Sequence, residues 1–245
     1  MKYLVLVLFA LAVTAPPARA YGFNLTWGTG CWRDNPATLS TSACDSDAGS
    51  VSFTVSFLSP VSTSVFYGIE AWLDLQSDTP ELPDWWQLTG PGGCRQGSLA
   101  VSFDASATPG GCADPWQGRE LVFNYVNWST AAFPRYGDIL AANRAKLYVR
   151  HIVAANGVPL PGGVEYYGFT VTISFAKTVG AGACGGCSTP VTIVLNRVNV
   201  VGSNFFSLTT SLDNQCLRWQ AGGVTPCSAT PTRSSTWGML KSLYR

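Results

Sequence analysis

Cys184-Gly185-Gly186-Cys187 has the spacing of a thiol–disulfide exchange centre, and with two more cysteines it could supply half of a zinc site. An exchange centre needs its first cysteine at a helix N-terminus, where the dipole lowers the thiol pKa. Here the motif lies in a glycine-rich turn ahead of an apolar run, Val191 to Leu195. An oxidising compartment also favours disulfides over zinc thiolates. The spacing therefore predicts a structural disulfide that closes a turn. All eight cysteines, at 31, 44, 94, 112, 184, 187, 216 and 227, fall into four near-neighbour pairs along the chain. Of the connectivities open to them, proximity predicts Cys31–Cys44, Cys94–Cys112, Cys184–Cys187 and Cys216–Cys227.

Other chemistries have fewer residues to work with. His151 is the only histidine, so a nucleophile–histidine site or a histidine-rich zinc site would depend on it. It stands between Val149 and Val153 on the apolar face of a strand-like run, which predicts a packed residue rather than a base. No GxSxG or HExxH motif is present. Paired carboxylates could still hydrolyse a glycosidic bond. The candidates are Glu70, Asp74, Glu81, Asp84, Asp104, Glu120, Asp138 and Glu165, with Glu70 and Asp74 on one face of a strand by parity. Asp45-Ser46-Asp47-Ala48-Gly49 loosely resembles a calcium loop but lacks the downstream glutamate, and a turn accounts for it equally well. No cofactor and no metal is therefore expected. Leu82-Pro83-Asp84-Trp85-Trp86 is the best binding clue. Adjacent tryptophans on a strand point to opposite faces, so one of Trp85 and Trp86 is expected to offer an exposed ring to a sugar or other ligand.

The elements that must position these residues are strands. Val51, Phe53, Val55 and Phe57 alternate with Ser52, Thr54 and Ser56, and the same period of two recurs over 65–73, 98–103, 147–153 and 167–175. Val191 to Leu195 is apolar on both faces apart from Thr192, as a central strand would be. Further strands are expected over 121–126, 198–201 and 205–210. Gly/Pro-rich turns separate them near 90–93, 109–111, 159–163 and 180–186. This pattern predicts an all-β antiparallel β-sandwich, with a jelly roll as one form it could take. Helical turns are expected only within 134–145 and in a short amphipathic C-terminal helix, where Trp237, Leu240 and Tyr244 share a face.

Lys2, an apolar run over 3–13 and Ala18-Arg19-Ala20 read as a cleavable signal peptide, too short to span a bilayer core of roughly 30 Å. Three segments follow: signal peptide 1–20, a disulfide-stapled β domain 21–235, and an amphipathic segment 236–245. Charged residues are only 12% of the chain, and loss of Lys2 and Arg19 leaves 13 basic against 14 acidic side chains. That balance gives no electrostatic footprint for nucleic acid. Asn24-Leu25-Thr26 and Asn127-Trp128-Ser129 match the glycosylation sequon.

Several segments carry a resemblance: Leu25-Thr26-Trp27, Lys177-Thr178-Val179-Gly180 leading to Cys184-Gly185-Gly186-Cys187, Ile193-Val194-Leu195-Asn196, and Thr236 to Arg245. In these the chain resembles a family of uncharacterised, secreted, Cys-rich bacterial proteins to which no activity is assigned. The resemblance implies export and a shared architecture. Related chains carry cysteines where His151 and Thr192 stand here, which implies that these two side chains are spatial neighbours. The expected role is an exported, non-enzymatic binding or structural protein, secreted or at the exterior of the cell envelope, with a glycan or surface polymer as the partner class. It would have no transmembrane anchor and no nucleic-acid partner. The alternatives are a secreted carboxylate hydrolase and a redox or metal protein built on Cys184 and Cys187.

Overall fold

The structure is a computed structural model and describes residues 21–88, 92–107, 111–134, 138–154 and 158–220. The expected signal segment, Cys227 and the expected C-terminal helix lie outside these residues.

The chain is an all-β sandwich of antiparallel sheets. The smaller sheet has the order β1 (Gly22–Trp27), β3 (Ser50–Leu58), β9 (Glu165–Ser174), β5 (Leu99–Ser102). The larger has the order β2 (Leu39–Ser40), β12 (Cys216–Trp219), β10 (Val191–Gly202), β4 (Thr63–Ser77), β7 (Arg144–Val153), β6 (Leu121–Thr130). Two short strands, β8 (Val158–Leu160) and β11 (Phe206–Leu208), pair with β4 and β10 respectively. Every pairing between these strands is antiparallel except β12 with β2.

The period-two pattern is realised in the core. Phe53, Val55 and Phe57 of β3 meet Ile69, Ala71 and Leu73 of β4 and Leu147 and Val149 of β7 in one apolar cluster. β10 shows how a bulge preserves that burial. The two apolar runs predicted as separate strands, 191–195 and 198–201, are one strand with an irregularity between Leu195 and Arg197. The extra residue, Asn196, shifts the parity, so Val191, Ile193 and Leu195 before it and Val198 and Val200 after it all enter the core. Arg197 and Asn199 are thereby turned outward, beside Trp72 and Glu70.

The outer face of the smaller sheet departs from the expected solvated Ser/Thr surface. Asn24, Thr26, Thr54 and Ser56 are all buried. The segment from Gly28 to Ala37 covers part of this face: Thr54 Oγ1 donates to the Gly28 carbonyl at 2.9 Å and Thr26 Oγ1 to that of Asn35 at 2.6 Å. Hydroxyl pairs across the strands, Ser52–Thr172 at 2.9 Å and Thr54–Thr170 at 3.0 Å, satisfy other groups. The Asn24 sequon therefore sits in a buried strand.

The disulfides correct the proximity rule. The bonds are Cys31–Cys112, Cys44–Cys187 and Cys94–Cys184, closing separations of 81, 143 and 90 residues. The expected Cys31–Cys44, Cys94–Cys112 and Cys184–Cys187 bonds do not form. Folding brings distant loops closer than sequence neighbours, because each near pair sits on segments that run to different places. Cys216 is also disulfide-bonded. Helical turns within 134–145 are absent from the described part, where 138–143 is irregular and β7 begins at Arg144. Among the described residues no helix is long and apolar enough to cross a membrane.

Candidate binding site

Trp85 and Trp86 do not form an exposed platform. They lie in a single 3₁₀ turn, Asp84–Trp86, where strand parity does not apply, and both are fully buried. The Trp85 ring stacks on Trp219 with centroids 5.4 Å apart, and Trp86 meets the same ring edge-on at 6.1 Å. Trp85 Nε1 donates to Thr178 Oγ1 at 3.0 Å, and Trp219 Nε1 to the Cys187 carbonyl at 2.6 Å.

The residue that organises this cluster is Arg95, which the sequence did not single out. Its guanidinium lies 3.7 Å from the Trp85 ring centroid and donates to the carbonyls of Trp85, Ala176 and Ser174. The side chain is fully buried, and burial lowers its pKa to about 10, with Asp47 opposing the shift. Its position next to Cys94 in a turn was the one available signal, since an arginine tied down by a disulfide is well placed to cap free carbonyls. Asp47, from the calcium-like segment, accepts the backbone N–H groups of Thr178 and Val179 at 2.7 and 2.8 Å. It thus works as a turn residue that joins two loops.

Cys184 and Cys187 anchor to different loops, through Cys94 and Cys44, so they do not form the dithiol of an exchange centre or half of a zinc site. Among the described residues no group of three or more His, Cys, Asp or Glu is placed to hold a metal ion. His151 is 8% exposed and stacks on Phe103, with centroids 3.7 Å apart, while Trp116 meets it edge-on at 4.6 Å. Burial lowers its pKa to about 4. Thr192 is not its neighbour. On the intervening strand β4, Thr192 stands opposite Gln76 and His151 opposite Ile69, a separation of more than about 20 Å at strand rise. A disulfide between those positions needs Cα atoms within about 7 Å.

The candidate carboxylates are dispersed. Glu165 is buried and accepts Ser56 Oγ at 2.6 Å, with Arg33 Nε 3.5 Å away. Glu70 pairs with Arg150 at 3.3 Å and accepts Asn199 Nδ2 at 3.0 Å. Glu70 and Asp74 do share a face of β4, but four residues of strand separate them by about 13 Å, beyond the roughly 5–10 Å of a glycosidase pair. Asp104 is held by Ser106, whose hydroxyl and backbone N–H both bond its Oδ1 and lower its pKa.

A cavity of about 410 Å³ does open on the outer face of the larger sheet. It is lined by Trp72 of β4, Lys146, Tyr148 and Arg150 of β7, Phe123, Tyr125 and Asn127 of β6, and Asp138 of the β6–β7 connection. The physical basis is the pleat: even-numbered residues of β4 and β7 point away from the core, and β6 contributes its odd-numbered ones. Register then aligns the rings across strands. Trp72 and Tyr148 are direct partners with centroids 5.0 Å apart, and Tyr125 lies 6.0 Å from Tyr148. Phe123 continues the row, 6.4 Å from Tyr125. Arg197 lies over Trp72 at 3.9 Å and Arg150 over Phe123 at 5.4 Å, so a guanidinium closes each end. Lys146 and Asp138 form an ion pair inside the groove. The sequence signal for this face was the alternation of Lys146, Tyr148 and Arg150 with apolar residues, which marks an outward row without showing what lies beside it.

No family model matches the chain, and the curated proteins contain no match to it. Among solved structures, a cohesin module from a family 33 glycoside hydrolase of Clostridium perfringens aligns with 82% of this chain and 98% of its own. The identity is 7% and the TM-score 0.34, a likeness that carries no argument about function.

Proposed function

We propose that the protein is an exported, non-enzymatic binding protein whose ligand, a glycan or sugar-containing surface polymer, lies in the groove on the outer face of the larger sheet. In this reading residues 1–20 are removed near Ala20. The mature chain, a domain over 21–235 followed by a docked helix over 236–245, acts outside the cell or in the cell envelope, periplasm included. Three disulfides suit such an oxidising setting.

The observation that carries the reading is the row of four rings drawn from three adjacent strands, bordered by polar and charged groups. A pyranose has apolar C–H faces and a rim of hydroxyls. Aromatic side chains meet the first, while Asn127, the Lys146–Asp138 pair and Arg150 can hydrogen-bond the second. Hydrolysis is the weaker reading, because Glu70 and Asp138 are each engaged by a cation and Glu70 and Asp74 are too far apart for a glycosidase pair. The test is a binding screen of the oxidised mature protein against soluble glycans and cell-surface polymers, read by tryptophan fluorescence and calorimetry. A ligand should be found whose affinity falls at least about tenfold in Trp72→Ala, the equivalent of about 1.4 kcal/mol. Binding unaffected by Trp72→Ala and Tyr148→Ala would place the site elsewhere.

A further inference from the structure

We infer that two copies of this protein pair through strand β6, antiparallel about a two-fold axis, so that their aromatic grooves meet across the interface. The ends of the sheets carry the argument. β1 ends the smaller sheet but is covered: Leu25 N–H donates to the Asn214 carbonyl at 2.9 Å and Trp27 N–H to that of Ala37 at 2.9 Å. β5 and β2, the other two ends, have four and two residues. β6 has ten residues and pairs on one side only, with β7.

Long edge strands are ordinarily guarded by charge, proline, a bulge or a covering segment, because their free N–H and C=O groups template another strand. β6 contains no charged residue and no proline. A register irregularity at Val122 bulges only its outer end, and pairing with β7 is regular from Phe123 to Thr130. Its first residues also expose a contiguous apolar surface, with Leu121, Val122 and Phe123 at 50%, 65% and 46%.

A second copy is the occupant that fits. An edge without charge offers a charged partner segment nothing to select, whereas two identical edges satisfy each other's backbone groups in one isologous contact. The same operation brings together the two Leu121-Val122-Phe123 patches and removes both from water. Phe123 also lines the groove, so each copy would contribute that ring at the boundary of the other's site. One strand pair is a small interface, so the dimer should be weak and depend on concentration.

Sedimentation velocity of the full mature chain across a concentration series tests this. The wild type should shift from monomer to dimer in the micromolar range. Val122→Lys with Phe123→Lys should remain monomeric at the concentrations where wild type is dimeric, with unchanged circular dichroism. Ile139→Lys, at a 98% exposed apolar position off the strand, should dimerise as wild type does. A wild type that stays monomeric throughout, a double-lysine variant that still dimerises, or a dimer abolished by Ile139→Lys alone would each overturn the inference.

Discussion

His151 and Arg95 place two basic side chains inside one protein with opposite outcomes. His151 is held neutral, because burial against Phe103 and Trp116 offers its charged form nothing, and its Nδ1 has no hydrogen-bond partner. Its pKa of about 4 lies below the unfolded value of about 6.5. Between those values the unfolded chain binds the proton more readily, so stability should rise with pH from about 4 to 6.5 and be flat in this respect above. The shift sets a ceiling of about 3 kcal/mol on the effect. In His151→Phe this component of the slope should vanish, as urea midpoints at pH 4, 5.5 and 7.5 would show. An unchanged slope would mean that the imidazole is not buried neutral. Arg95 keeps its charge by donating to three carbonyls and facing an indole. Arg95→Met fills similar volume but leaves those carbonyls unpaired, and should cost about 3–5 kcal/mol in chemical denaturation, in line with other buried polar deletions. A loss below about 1 kcal/mol would show that water replaces the guanidinium.

At the scale of elements, the strands were largely legible and their edges were not. Alternation marked β3, β4, β7 and β9 because a half-buried strand writes its two faces directly into residue order. β1 escaped because all six of its residues are buried, so Gly22–Trp27 has no alternating exposure to record. The tryptophan pair was assigned by strand parity to opposite faces, whereas a three-residue 3₁₀ turn turns both rings inward. Close approach is equally invisible along the chain. A Cβ on Gly68 of β4 would lie 2.0 Å from the His151 carbonyl oxygen on β7. Gly68→Ala must therefore push these central strands apart, at an expected cost of about 1–3 kcal/mol. Thermal unfolding would register it, and an unchanged midpoint would show that the pair is loose there.

For the whole molecule, the disulfides determine which loops stay together. Cys44–Cys187 and Cys94–Cys184 clamp two loops to the short segment carrying both Cys184 and Cys187, around the Trp85–Trp219 stack. Loops of this length correspond to roughly 4–5 kcal/mol each on the chain-entropy estimate, an upper figure because the crosslinks overlap. Proteolysis without reduction should release 31–112, 44–187 and 94–184 linked peptides in mass spectrometry. A 184–187 intrapeptide bond would contradict the fold around the tryptophan stack. Replacing Cys94 and Cys184 together by serine should lower the unfolding midpoint while leaving far-ultraviolet dichroism nearly unchanged, because the apolar core between the sheets persists.

Residue order alone determined the class of structure: period-two alternation, frequent Gly/Pro turns and sparse charge admit little but a β-sandwich, and the cysteines call for an oxidising compartment. These are local properties, written within a few residues of one another. Tertiary structure alone decided which cysteines pair, that Trp85 and Trp86 are buried, that His151 and Thr192 are far apart, and that Trp72, Tyr125 and Tyr148 form one row. Each of those depends on which strands lie side by side and in what register. Register is set by the sum of contacts across both sheets, and no short stretch of sequence contains that sum.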